Sequence, residues 1–261
     1  MDIDSARIGA WVGQFVWPFL RLSAFLLAAP LFGARSVPVR VRITIAVALA
    51  ALLVPTLPPM PAVDFLSPLG FLTAVQQVGI GLLGGFLLQL FLAVLTFAGE
   101  LVSLGMGLGF ASMVDPQNGV SVPILSQLYL MLVLLLMLAG NGHLLLLELL
   151  AHSFTTLPVG PVGLAFSDFR AVAGFITDVF ALGLLVALPA VTVLLVVNLV
   201  FAVVSRAAPQ LNLFAVGFPV SLLVGLLVVL MTLPALTGQW DGIFGQATQR
   251  LLGLFGGHSG G

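Results

Sequence analysis

Long apolar stretches separated by short polar breaks dominate the chain. Six of them, read as uncharged, centre on residues 8–34, 43–57, 69–99, 123–147, 174–204 and 213–236. A helix rises ~1.5 Å per residue and the hydrocarbon layer is ~30 Å thick, so each stretch is a candidate membrane helix. Their lengths are uneven. Ile43–Val54 supplies only 12 residues before Pro55, whereas Phe65–Gly99 runs 35 residues without a charge. A helix of the latter length would reach about 52 Å, so it is expected to break, to tilt, or to be covered by protein outside the bilayer, and coverage by other subunits is favoured. Pro18, Pro30, Pro189 and Pro219 fall in apolar sequence. Each removes a backbone donor, so any kink there must be satisfied by neighbouring protein, not by lipid. Pro58-Pro59-Met60-Pro61 reads as a rigid connector, and residues 241–261 as a disordered Gly-rich tail.

Composition fixes the class. Of 261 residues, 61% are hydrophobic and 7% charged, where soluble domains carry about 25% charged residues. The expected fold is therefore an all-α integral membrane protein. Eight arginines, no lysine and nine acids give a net charge of −1, which supplies no basic field for nucleic acid. The absence of cysteine excludes disulfides, thiolate metal sites and cysteine nucleophiles. Asp2 and Asp4 precede the first apolar stretch in place of a basic leader, so that segment is expected to be retained.

The basic residues suggest an orientation. Arg35, Arg40 and Arg42 lie between the first and second segments and Arg206 between the fifth and sixth, the same side in a six-segment count. By the positive-inside rule that side is cytoplasmic. The other side carries Arg7, Arg170 and Arg250 with Asp2, Asp4, Asp64, Asp168 and Asp241, and both termini are expected there.

Few residues could carry chemistry. HExxH, GxSxG and P-loop motifs are absent from the sequence. His143, Glu148 and His152 have ligand chemistry suited to zinc, but they close an apolar run and read better as a membrane–water boundary. No catalytic residue, metal or cofactor is expected, and an intramembrane hydrolase would need that trio to bind metal. A polar seam is better defined. At 100° per residue, Gly85, Gln89, Thr96, Glu100 and Ser103 fall within about 60° of arc on the third segment. A buried Glu100 would need a partner or water, and a proton-coupled secondary transporter would use it as the proton carrier. Gly81 and Gly85 add a small-xxx-small pattern for close helix contact.

The most informative stretch is Gly105-Met106-Gly107-Leu108-Gly109-Phe110-Ala111-Ser112-Met113-Val114-Asp115-Pro116-Gln117-Asn118-Gly119. Glycines at 105, 107 and 109 each weaken a helix by about 1 kcal/mol, and Asp115–Gly119 is turn chemistry. A helix is expected to stop here, yet the apolar residues keep the loop in nonpolar surroundings. Non-helical backbone in such a place must be buried in protein or line a cavity. A plain connector and a pore-lining or pore-plugging loop both fit.

This stretch, together with Arg206-Ala207-Ala208-Pro209-Gln210-Leu211-Asn212-Leu213-Phe214-Ala215-Val216-Gly217-Phe218-Pro219, resembles the FliR family. That family is the membrane subunit of the flagellar type III export gate, and the likeness covers roughly residues 8–237. The resemblance implies a noncatalytic subunit in a closed, hetero-oligomeric helical cone of broken and kinked hairpins, largely above the ordinary bilayer plane. It implies a FliP-like module over residues 1–170, a FliQ-like hairpin over 171–240, and the bacterial inner membrane at the flagellar basal body as location. Implied partners are a FliP-like pentamer, FliQ-like subunits, an FlhB-like switch protein and an FlhA-like export component, with unfolded flagellar proteins as cargo. It also implies that Gly105–Gly119 plugs the pore, with Phe110, Met106 and Met113 as apolar bulk. Arg206, Pro209, Gln210, Asn212 and Phe214 would form the cytoplasmic tip of the hairpin.

Overall fold

The computed structural model describes residues 5–30, 32–33, 37–61, 63, 67–108, 124–160, 166–208 and 213–256. Among these there is no strand. Seven α-helices follow in order: α1 (Ser5–Ala28), α2 (Val39–Leu53), α3 (Pro68–Gly105), α4 (Ile124–Ala139), α5 (Gly142–Thr156), α6 (Phe166–Ala207) and α7 (Leu213–Gly256). Four spans, in α2, α3, α6 and α7, are long and apolar enough to cross a membrane, and α4 with α5 qualify together as one broken span. The protein is an all-α integral membrane protein.

The helices depart from the apolar runs in ways that have physical causes. The second apolar run is shorter than its helix because charged residues bound the run and not the helix. The helix does not stop there: α2 begins after Pro38 and carries Arg40 and Arg42 in its first turn, and a 3-10 turn over Val54–Thr56 continues it. Long arginine stems let the charged heads reach away from apolar surroundings, and the Arg42 guanidinium donates to the Gly33 carbonyl at 3.3 Å. The fourth run is divided. Gly140 closes α4, donating to the Leu136 carbonyl at 2.8 Å, and Asn141 takes a left-handed φ of 55° to start α5. Asn tolerates that region better than most side chains. The overlong third segment does not break; α3 is one helix of 38 residues, about 57 Å long. Two of the apolar segments are not free of charge: the first holds Arg21 in α1 and the fifth holds Asp178 in α6. The expected disordered tail is also corrected, because 241–256 continue α7 as helix. Trp240 and Ile243 are buried, which supplies an apolar anchor for that extension.

Pro18 lies inside α1, Pro189 inside α6, and Pro219 and Pro234 inside α7. Pro30 instead lies just past the end of α1, where its missing donor costs nothing.

Contacts divide the chain into two compact units. The first comprises Met1–Phe91, Asn141–Phe175 and Gly245–Gly261. Its core gathers Trp17, Phe154 and Val159, with Leu20, Leu57, Met60, Val63 and Ala74 packed around them. Here α1 and α3 pack closely. A β-carbon at Gly81 would collide with the Arg21 carbonyl, and one at Gly85 would lie 2.6 Å from the Ala28 β-carbon. The close contact expected of this glycine pair is made, and only glycine fits it.

The second unit comprises Leu92–Gly140 and Ile176–Phe244. Its core includes Val94, Leu95, Val102, Met106, Val133, Met137, Leu194 and Val229. The Phe97 and Phe180 rings meet edge-to-face, centroids 5.0 Å apart, a favoured aromatic geometry. Large apolar side chains such as Leu195, Leu199, Leu223, Leu227 and Met231 are exposed on this chain, as suits a surface for lipid or protein and not for water.

Candidate functional site

The glycine-rich stretch leaves α3 through a defined cap. The Gly107 amide donates to the Leu104 carbonyl at 3.0 Å and the Leu108 amide to the Ser103 carbonyl at 3.1 Å. Gly107 has φ 81°. These two bonds with a left-handed residue between them are a Schellman ending, which glycine adopts without steric cost. Alternate glycines therefore stop the helix as expected, and Gly107 is the one whose conformation requires it. Residues 109–119 of the predicted loop, Phe110 and Met113 included, lie outside the described residues.

The cap is seated in the second unit. Met106 is 3% exposed and fills a notch at Gly225 of α7, where a β-carbon would stand 2.8 Å from the methionine sulfur. Gly105 faces Leu194 of α6 in the same way, with a β-carbon position 3.1 Å from Cδ1. Beside the cap a cavity of about 370 Å³ is lined by Leu104–Gly107, Asn198, Phe201, Ala202, Gly217, Phe218 and Ser221. Filling the notch should displace Met106. Gly225→Leu is expected to destabilise the unit by roughly 1–3 kcal/mol through overpacking. Thermal unfolding in detergent checks this, with a smaller loss for Gly225→Ala because the methionine can adjust.

The polar seam is not uniform. Gly85 and Ser103 are buried, Thr96 is half-buried, and Gln89 and Glu100 are exposed on this chain. Thr96 turns its hydroxyl onto the Ala93 carbonyl of its own helix, at 3.0 Å. His143, Glu148 and His152 all lie on α5, and among the described residues no three His, Cys, Asp or Glu side chains gather as a metal site. At the predicted hairpin tip, Arg206 is exposed at the end of α6. Pro209, Gln210 and Asn212 lie outside the described residues, as does the side chain of Phe214, which opens α7.

One polar centre was missed by counting apolar runs. Arg21 is fully buried in the first unit. Its Nε donates to Gln77 Oε1 at 2.8 Å. Its Nη1 donates to the Ser153 carbonyl at 2.8 Å and hydroxyl at 3.1 Å, and Nη2 donates to the Leu157 carbonyl at 2.8 Å. The guanidinium carbon sits 4.1 Å from the centroid of the Phe154 ring. None of these partners is charged. Arg21 instead occupies the C-terminal end of α5, where unsatisfied carbonyls and the negative end of the helix dipole favour a cation, over an aromatic face that favours it too. Gln77, Gly81 and Gly85, spaced four apart and buried, form the stripe of α3 that receives α1. An arginine in the middle of an apolar run was the available signal.

A family model described as "Bacterial export proteins, family 1" matches residues 12–247. The chain is 37% identical over 248 residues to the flagellar biosynthetic protein FliR of Escherichia coli (strain K12), covering 94% of each chain. Against FliR of Pectobacterium carotovorum subsp. carotovorum it is 39% identical over 224 residues, 86% of this chain and 85% of the relative. FliR of Aquifex aeolicus (strain VF5) is 33% identical over 222 residues, 84% of each.

Proposed function

The chain belongs to the FliR family, bacterial export proteins family 1, and from that premise we propose that it is a noncatalytic membrane subunit of the flagellar type III protein export gate. In this role it helps form the channel for unfolded axial proteins and plugs it with Gly105–Gly119. The observation that carries the reading is the end of α3: a glycine-capped helix, with Met106 buried in a notch, delivers the chain into the glycine-rich stretch from a fixed root. A freely swinging connector would need no such anchorage. The apolar residues beyond the root, Phe110 and Met113, supply bulk that can close against other apolar side chains and reform around different passing chains.

The proposal extends to the assembly. The 38-residue α3 is too long for a ~30 Å hydrocarbon layer without tilt, and the exposed leucines and valines of α6 and α7 offer area for other subunits. FliP-like and FliQ-like subunits are the proposed neighbours, with residues 1–170 and 171–240 as the corresponding modules of this chain. An FlhB-like protein would meet the Arg206–Phe214 tip, and an FlhA-like component would complete the gate. The location is the bacterial inner membrane at the basal body, with much of the assembly on the periplasmic side.

Mild-detergent purification tests the subunit role. The chain is expected to leave the membrane inside a large assembly with FliP-like and FliQ-like partners, and to aggregate or be degraded when expressed alone. A well-behaved, fully helical monomer that binds no such partner would overturn it.

A further inference from the structure

A Schellman ending satisfies the carbonyls of the third and second residues from the helix end and leaves those nearest the end without intrahelical donors. In α3 the Ser103 and Leu104 carbonyls are taken by Leu108 and Gly107. The Gly105 carbonyl is the next in line. It accepts from the Asn198 side-chain amide, whose Nδ2 lies 3.2 Å away. The oxygen of the same amide accepts from the Ser221 hydroxyl at 3.3 Å. Asn198 thus stands between α3 and α7 with its donor on one and its acceptor on the other.

The surroundings are arranged for this. On α6, Leu194 packs against Gly105 and Asn198 follows one turn later; on α7, Ser221 precedes Gly225 by one turn. Residues four apart share a helix face, so each helix offers one apolar or open position to the cap and one polar side chain. A β-carbon added at Gly217, a turn before Ser221, would stand 3.7 Å from the Phe201 ring. The amide carries its donor and its acceptor on separate atoms, so Asn198 can donate to a carbonyl on one helix and accept from a hydroxyl on another at once. Leucine could do neither.

We propose that Asn198, held by Ser221, is the positioning residue that latches the root of the glycine-rich segment to the α6–α7 pair. Release of this latch frees Met106 from its notch. The inference rests on the gate-subunit reading for its biological meaning, but its geometry lies wholly within the second unit and is tested separately.

The chain has no cysteine, so a Met106→Cys variant carries one thiol at a buried position. In membranes holding the whole assembled gate, its reaction with a maleimide is timed in that background alone and with Asn198→Leu, Ser221→Ala or Ser221→Thr added. Loss of a net hydrogen bond corresponds to roughly a three- to tenfold change in an opening equilibrium. Labelling is therefore expected to quicken about three- to tenfold with Asn198→Leu, by less with Ser221→Ala, and not at all with Ser221→Thr, which keeps the hydroxyl. Should Asn198→Leu fail to assemble, Ser221→Ala against Ser221→Thr decides. Unchanged labelling in the assembled variants overturns the latch, whatever the channel does. Quickened labelling together with an unaltered membrane leak keeps the latch and removes the plug.

Discussion

Replacing Arg21 with leucine is expected to cost the first unit roughly 3–5 kcal/mol, from buried acceptors left without a donor and from the cavity under Phe154. The guanidinium answers the side-chain oxygen of Gln77 and the Leu157 carbonyl. Without it each becomes a buried acceptor with no donor in its place. The Ser153 carbonyl suffers less, because it also accepts from the Leu157 amide at 2.9 Å. Against a total stability of ~5–15 kcal/mol for a typical protein, such a loss decides whether the unit persists. Arg21→Lys should recover little, since one ammonium cannot reach four acceptors spread over three residues that a planar fork reaches together. Pulse proteolysis of the chain within the solubilised assembly reads the effect. Resistance equal to wild type in both variants would show that the network contributes nothing.

The second large effect concerns the proposed plug. Phe110→Ala with Met113→Ala removes two large apolar side chains, each worth roughly 2–5 kcal/mol when a packed site is emptied. If those side chains close the channel, the closed state loses several kcal/mol while the helices that build the gate keep all their contacts. Assembly and sealing should therefore separate. The root defined by Gly107, Met106 and Gly225 remains in place in such a variant, so the loop is anchored but no longer fills the passage.

Much of this was legible in the sequence, and the omissions have a pattern. Apolar runs marked the helices, alternate glycines marked the end of α3, and the Gly81/Gly85 pair marked its contact with α1, because each signal is local. Arg21 was overlooked because its partners arrive from far along the chain: Gln77, then the C-terminal carbonyls of α5. Nothing near residue 21 shows that a helix end will be brought there. The extension of α2 through Arg40 and Arg42 was hidden by treating charge as a boundary, although long side chains tolerate such positions. The break between α4 and α5 could have been read, since Gly140-Asn141-Gly142 is turn chemistry inside an apolar run. Asn198 was visible as a lone amide in an apolar helix, but its two partners are on α3 and α7, and only the folded unit joins them. The notch at Gly225 is likewise a property of packing and not of the residues around it.

Ionic conductance across the membrane of cells expressing the whole gate tests most directly whether this chain plugs the channel. Cells carrying Phe110→Ala with Met113→Ala, and a gate whose assembly is verified by copurification, are expected to leak ions and small solutes above the wild-type level. An assembled variant that leaks no more than wild type would contradict the plug and leave Gly105–Gly119 a connector.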